Sequence, residues 1–177
     1  LVSYTWLRLV ERTAMEPHFL SLLLGTVLLR PYVFIFMTAY LVASILQFGL
    51  KRTISFMVIG YCLVFLAECS STHTGFPFGW YYYIDTTRHQ ELWISNVPFM
   101  DSLSFIFLAY ASYLTALLLW APLWRSRRDL QIVDTKALRR SPAVLVLAVM
   151  FFVLIDVVID PVALRGSRWF LGQIYGY

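Results

Sequence analysis

Between Pro31 and Leu50 the chain runs for twenty residues without a charge and then meets Lys51-Arg52. As helix, that stretch is about 30 Å long, the thickness of a bilayer's hydrocarbon core. Thr53–Ala67 follows almost at once and runs into Glu68. Ser102–Trp124 is a third apolar stretch, and Pro142–Ala163 a fourth, interrupted by Asp156 and Asp160. Pro17–Leu29 is apolar as well, yet its 13 residues reach only about 20 Å as helix. It reads either as a tilted span extended backward through Met15 or as a re-entrant segment. The expected fold is an all-α integral membrane protein: one domain over 1–177, built as a bundle of four or five transmembrane helices. A Gly/Pro/aromatic loop, re-entrant or interfacial, falls in the long segment Glu68–Asp101.

Composition agrees. Of 177 residues, 60% are hydrophobic and 14% charged, against about 45–50% and about 25% in ordinary soluble domains. Mean hydropathy is +0.71. These values exclude a disordered chain, a coiled coil, a nucleic-acid-binding domain and a disulfide-stapled module. The net charge of +4 does not announce an acidic partner, because six of the 14 basic residues crowd between Arg125 and Arg140. Such a block between apolar stretches reads as a cytoplasmic loop. With Arg8, Arg12 and Lys51-Arg52 on the same side, ten basic residues lie inside. Four lie outside: Arg30, Arg88, Arg165 and Arg168. Cys62 and Cys69 have no metal-ligand spacing and read as two buried thiols. No secretory signal peptide is visible in Leu1–Val10. With no initiator Met and an end at Tyr177, the sequence reads as part of a longer protein, incomplete at both ends, in the cell membrane or a derived intracytoplasmic membrane.

Four carboxylates fall at one membrane level under this topology. Glu68 lies about 22 Å along the helix that starts at Thr53, and Asp156 and Asp160 about 20 and 26 Å along the last one. Asp101 opens the helix that descends to the basic loop. Asp156 and Asp160 are four residues apart and share a helix face. An ionisable group at such depth costs about 2.5–3.5 kcal/mol on insertion scales, and usually lines a cavity and carries function. The competing reading is structural: they cap helix ends or pair with Arg88, Arg165 and Arg168.

The segment Thr74-Gly75-Phe76-Pro77-Phe78-Gly79-Trp80-Tyr81-Tyr82-Tyr83 has six aromatics in its last eight residues. Two glycines and a proline forbid regular helix and prescribe a fixed turn. An aromatic belt at the headgroups is the plain alternative. A belt needs no special backbone, so a shaped pocket lid with Phe76 and Phe78 pointing inward is the preferred expectation. His18, His73 and His89 form no ligand set, so no metal site is expected.

These residues carry a resemblance. Arg30-Pro31-Tyr32, Glu68, the Thr74–Gly79 turn with its tyrosines, Val97-Pro98 and Asp156-Val157-Val158-Ile159-Asp160-Pro161 resemble the carotenoid biosynthesis membrane protein family over roughly residues 30–177. Its characterised members are carotenoid hydratases of the bisanhydrobacterioruberin hydratase type. The sequence departs from the family at Phe105, where many members have Trp, and around Thr87-Arg88, where Leu-Gly often follows the tyrosines. The family pattern also continues past Tyr175-Gly176-Tyr177.

The resemblance implies addition of water to the terminal double bond of an acyclic carotenoid end group, giving a tertiary alcohol, without cofactor or metal. The implied catalytic set is Asp156, Glu68, Asp160 and Asp101. The implied substrate wall is Gly75, Phe76, Pro77, Phe78, Gly79, Trp80, Tyr81, Tyr83 and Phe105. Asp156, flanked by Val157, Val158 and Ile159, is the expected general acid, since a carboxyl group in apolar surroundings keeps its proton. Glu68, expected at the end of its helix, orients the attacking water. Asp160 holds shared protonation or anchors the helix end on the Arg165 side. The expected partners are a long polyene, membrane lipid and other membrane proteins of a complex. A second reading is a non-catalytic carotenoid- or pigment-binding subunit of a larger, even photosynthetic, complex. A third, a proton-coupled transporter, suits a bundle of five or fewer helices without a repeat poorly.

Overall fold

The computed structural model describes residues 19–127, 129–163 and 174–177. Six α-helices lie among them: α1 (Phe19–Leu29), α2 (Pro31–Phe48), α3 (Leu50–Thr74), α4 (Phe99–Trp120), the short α5 (Lys136–Arg139) and α6 (Pro142–Ala163). Four are long and apolar enough to cross a membrane: α2, α3, α4 and α6. This is an all-α membrane bundle. The first apolar stretch forms α1, whose 11 described residues span about 16 Å; its expected backward extension through Met15 lies outside the described residues.

Local chemistry sets the breaks. Proline disfavours helix in the residue before it and suits the first helical position after it. Arg30 accordingly leaves the helical region (φ −127°, ψ 54°), and Pro31 opens α2. Gly49, at φ 83° and ψ 159°, makes the corner between α2 and α3, in a conformation that side chains avoid. Lys51 and Arg52 therefore stand in the first turn of α3, and the helix continues six residues beyond Glu68. It ends where Gly75 adopts the left-handed conformation (φ 79°) that caps helices. Glu68 thus lies within α3, not at its end as the sequence suggested.

Helix α4 is the hub, packed against α2, α3 and α6. Met37, Tyr40, Ile106 and Tyr110 form one buried cluster, and Ala116, Leu117, Val144 and Ala148 another. Polar ties cross between helices: Tyr40 donates to the Thr53 carbonyl at 3.0 Å, and Tyr110 to Gln47 Oε1 at 2.9 Å. In lipid, where hydrophobic burial gives helices no reason to associate, small-residue packing and such bonds do so. Outward faces are apolar, as at Val146, Val153 and Val157 of α6. Cys62 is exposed on such a face and Cys69 is half-buried, so the two thiols are not the buried pair expected. Alternation toward lipid, not toward a core, places them there.

The two ends of the bundle differ. At one, the basic stretch forms a hairpin, β4 (Leu123–Arg125) with β5 (Leu130–Ile132), followed by α5. Arg139 lies over the Phe48 ring, 5.2 Å from its centre, so this stretch and the α2–α3 corner share one end, as the charge distribution predicted. At the other end, the long loop folds into β1 (Tyr82–Tyr83), β2 (Trp93–Ile94) and β3 (Val97–Pro98). β2 pairs with β3, and β1 with β6 (Tyr175–Gly176). The loop is fastened to α1, where Thr26 Oγ1 accepts from the Leu92 amide at 2.7 Å. Gly25 makes that approach possible, for a Cβ there would meet the Gln90 carbonyl oxygen at 1.8 Å.

Candidate active site

The carboxylates do gather at the loop end. Glu68, on α3, is 2% exposed and accepts a hydrogen bond from Ser102 of α4 through Oε2. Its Oε1 lies 3.1 Å from the Tyr83 hydroxyl, and the same hydroxyl bonds Asp101 Oδ2. Tyr83 stands between two acids. Burial, and then the charges of Asp101 and Glu68, push its phenol well above the usual range, so it remains a neutral donor.

Strand pairing positions Tyr83. It lies opposite Tyr175, while Tyr82 lies opposite Gly176, whose missing side chain leaves room for the Tyr82 ring. Tyr81, Trp93 and Tyr175 meet Tyr83 edge-on, with ring centres 5.5, 6.2 and 6.4 Å away. Tyr175 in turn donates to Asp160 Oδ1 at 2.5 Å. Burial and that bond raise its phenol pKa too. The two strands therefore bring two hydroxyls to the carboxylates of three helices.

Asp101, Asp156 and Asp160 line one cavity of about 380 Å³, walled chiefly by apolar side chains that include Phe36, Phe105 and Phe152. Glu68 stands behind Asp101, outside the cavity lining. Enclosure is the reverse of what the sequence suggested. Glu68 is the buried acid, whereas Asp156 is an exposed residue at the cavity wall. Valines beside a carboxylate in sequence do not surround it, because on a helix they turn to other faces.

The lid expectation is corrected. Phe76 is 74% exposed, Phe78 60% and Trp80 66%, and none of them, nor Pro77 or Gly79, lines the cavity. The special backbone serves the helix end instead. The Gly79 amide donates to the Gly75 carbonyl at 2.9 Å and the Phe78 amide to Ser71 Oγ at 3.0 Å. Trp80 lies over Gly75, where a Cβ would stand 2.7 Å from the indole nitrogen. Their outward rings suit the headgroup level.

Three contributors escaped the sequence reading. Ser102, one position after Asp101, is completely buried against Glu68. Arg30 and Glu91 are both buried and pair at 3.6 Å, with Thr87 donating to Glu91. The Arg30 guanidinium acts electrostatically on Asp101 and Tyr32. A charge count could have flagged Arg30 and Glu91 as ions near a membrane level, but nothing in the spacing pairs residues sixty apart. Arg165 and Arg168, considered as partners of Asp156 and Asp160, lie outside the described residues, as does His18. Arg88 instead donates to the Ser95 carbonyl at 3.1 Å and lies over Trp93. Among the described residues no three His, Cys, Asp or Glu side chains form a metal-holding group.

A helical membrane protein whose apolar cavity ends at hydrogen-bonded carboxylic acids is built for chemistry or recognition on a lipid-soluble molecule. Residues 20–176 match the family described as carotenoid biosynthesis protein, and the chain belongs to that family. Its role is in carotenoid biosynthesis. No curated protein and no solved structure matches the chain.

Proposed function

We propose that the protein is a carotenoid hydratase, adding water across the terminal double bond of an acyclic end group held in the Asp101 cavity. The observation that carries the reading is a hydrogen count. The Tyr83 hydroxyl has one hydrogen and contacts oxygens of both Glu68 and Asp101. Both contacts are hydrogen bonds only when one carboxyl group carries a proton and donates it to the phenol oxygen. A stored acid proton thus borders a hydrocarbon cavity. Holding a polyene alone would need no buried acid, which weighs against the pigment-binding reading.

The steps follow from that placement. Asp101, the member of the pair that reaches the cavity, gives its proton to the less substituted alkene carbon. The π electrons form the new C–H bond and leave a tertiary cation. The faces of Phe105 and Phe152 stabilise a desolvated cation by about 0.5–2 kcal/mol each. Asp156, more open and on the facing helix, orients a water molecule. As the water oxygen bonds the cation, Asp156 takes its proton. Return of that proton to Asp101 closes the cycle, with Glu68 and Tyr83 holding the acid side and Tyr175 holding Asp160. Compared with the roles read from sequence, Asp156 moves from acid to water-orienting group and the acid passes to Asp101, because enclosure sits with the Glu68–Asp101 pair.

Isosteric amides test this in cells supplied with an acyclic carotenoid. Asp101→Asn is expected to abolish the hydroxylated product while the protein inserts normally. Asp156→Asn should lower turnover by about a hundredfold or more, in the range of a general base, and Asp160→Asn by less. Normal product from Asp101→Asn contradicts the assignment.

A further inference from the structure

The Asp101 cavity is too small for a whole polyene. Its volume of about 380 Å³ is near the bottom of the ~300–1,000 Å³ that holds drug-sized ligands. A second cavity, of about 630 Å³, lies toward the basic end, lined by Phe48, Ala109, Tyr113, Ala148 and Val149 among others. Phe152 borders both. On α4, Asp101 and Phe105 line the first cavity, while Ala109 and Tyr113 line the second. These four residues follow at intervals of four, one row on one helix face. On α6 the matching row is Asp160, Asp156, Phe152 and Ala148, running the opposite way. The two cavities therefore occupy the same faces of the same packed helices. The Phe105 and Phe152 rings meet at the waist, centres 5.9 Å apart. From Asp101 to Tyr113 the row extends about 18 Å.

We propose that the two cavities form one trench for a single polyene, with its reactive end at Asp101 and its distal chain beyond the Phe105–Phe152 waist. The second cavity is then a chain-length selector. The inference rests on the reading that the first cavity takes a carotenoid end group, but not on the hydration step.

Binding is the readout, so a failure of the chemistry does not obscure it. The full chain in lipid nanodiscs is titrated with two acyclic isoprenoid polyenes sharing one end group, one long and one short enough for the first cavity alone. Circular dichroism induced in the polyene absorption band reports occupancy. Val149→Trp, or Ala109→Trp should the first not fold, fills the second cavity. Either is expected to weaken the long polyene about tenfold or more, the value of a few buried methylenes, and to leave the short one unchanged. Equal effects on both, no effect on either, or no binding by the unaltered protein overturns the trench. Product formation without length-selective binding overturns it while leaving hydration standing, and selective binding without product does the opposite.

Discussion

Tyr83 reaches into the site from outside the membrane helices and bridges two of its acids. It is buried, is placed by a two-residue strand pairing, and joins acids from α3 and α4. Replacing it with Phe leaves both acids short of a partner in a buried place. Tyr83→Phe is expected to cost about 1–3 kcal/mol of stability and to reduce turnover, with the protein still inserted. Thermal unfolding in nanodiscs and product analysis check the two parts separately. Unchanged values in both would contradict the bridging role of Tyr83. That these carboxylates gather at one end of the bundle was legible from helix depth, since an ion that deep needs a reason to be there. Their order of burial was not legible. Glu68 is enclosed by Ser102 and Tyr83, residues 34 and 15 positions away, and only tertiary structure joins them.

The four spans were legible at the scale of elements, because charge-free length is a local property, and so were the turns at Arg30-Pro31 and Gly75. The loop's attachment to α1 was not, for it depends on the absence of a side chain at Gly25 opposite a backbone carbonyl 65 residues on. Gly25→Ala is expected to push the 85–98 loop away from α1 and speed amide hydrogen exchange at Leu92. Retained protection there contradicts the clamp. The basic end offers a milder test. Asp134 receives two bonds from Arg139, at 2.7 and 2.6 Å. The Arg139 hydrogen bonds hold its carboxyl below the usual range. A depressed carboxylate stabilises the fold above its unfolded pKa of about 4, and the contribution fades as pH falls through the lower folded value. Being largely open to solvent, the pair is worth at most about 1 kcal/mol. Arg139→Gln should therefore lower stability slightly at neutral pH and by less in strong acid, where only its contact with the Phe48 ring is left to lose, measured by thermal unfolding across that range.

The whole molecule is polarised, with a basic end built around Arg52 and Arg139 and an acidic one around Glu68, Asp101, Asp156 and Asp160. Between them the helices present hydrocarbon to lipid on the outside and to the two cavities within. That arrangement suits a lipid-soluble substrate entering from the membrane and meeting the cavity's carboxylates at the loop end. In the proposed hydration, the oxygen gained by the carotenoid comes from water. Incubating the chain in nanodiscs with an acyclic carotenoid in heavy-oxygen water, followed by mass spectrometry of the pigment, tests it directly. The expected result is a product heavier than its substrate by one labelled water molecule, absent with Asp101→Asn. Unchanged pigment, or a hydroxylated product whose oxygen is unlabelled, would contradict it.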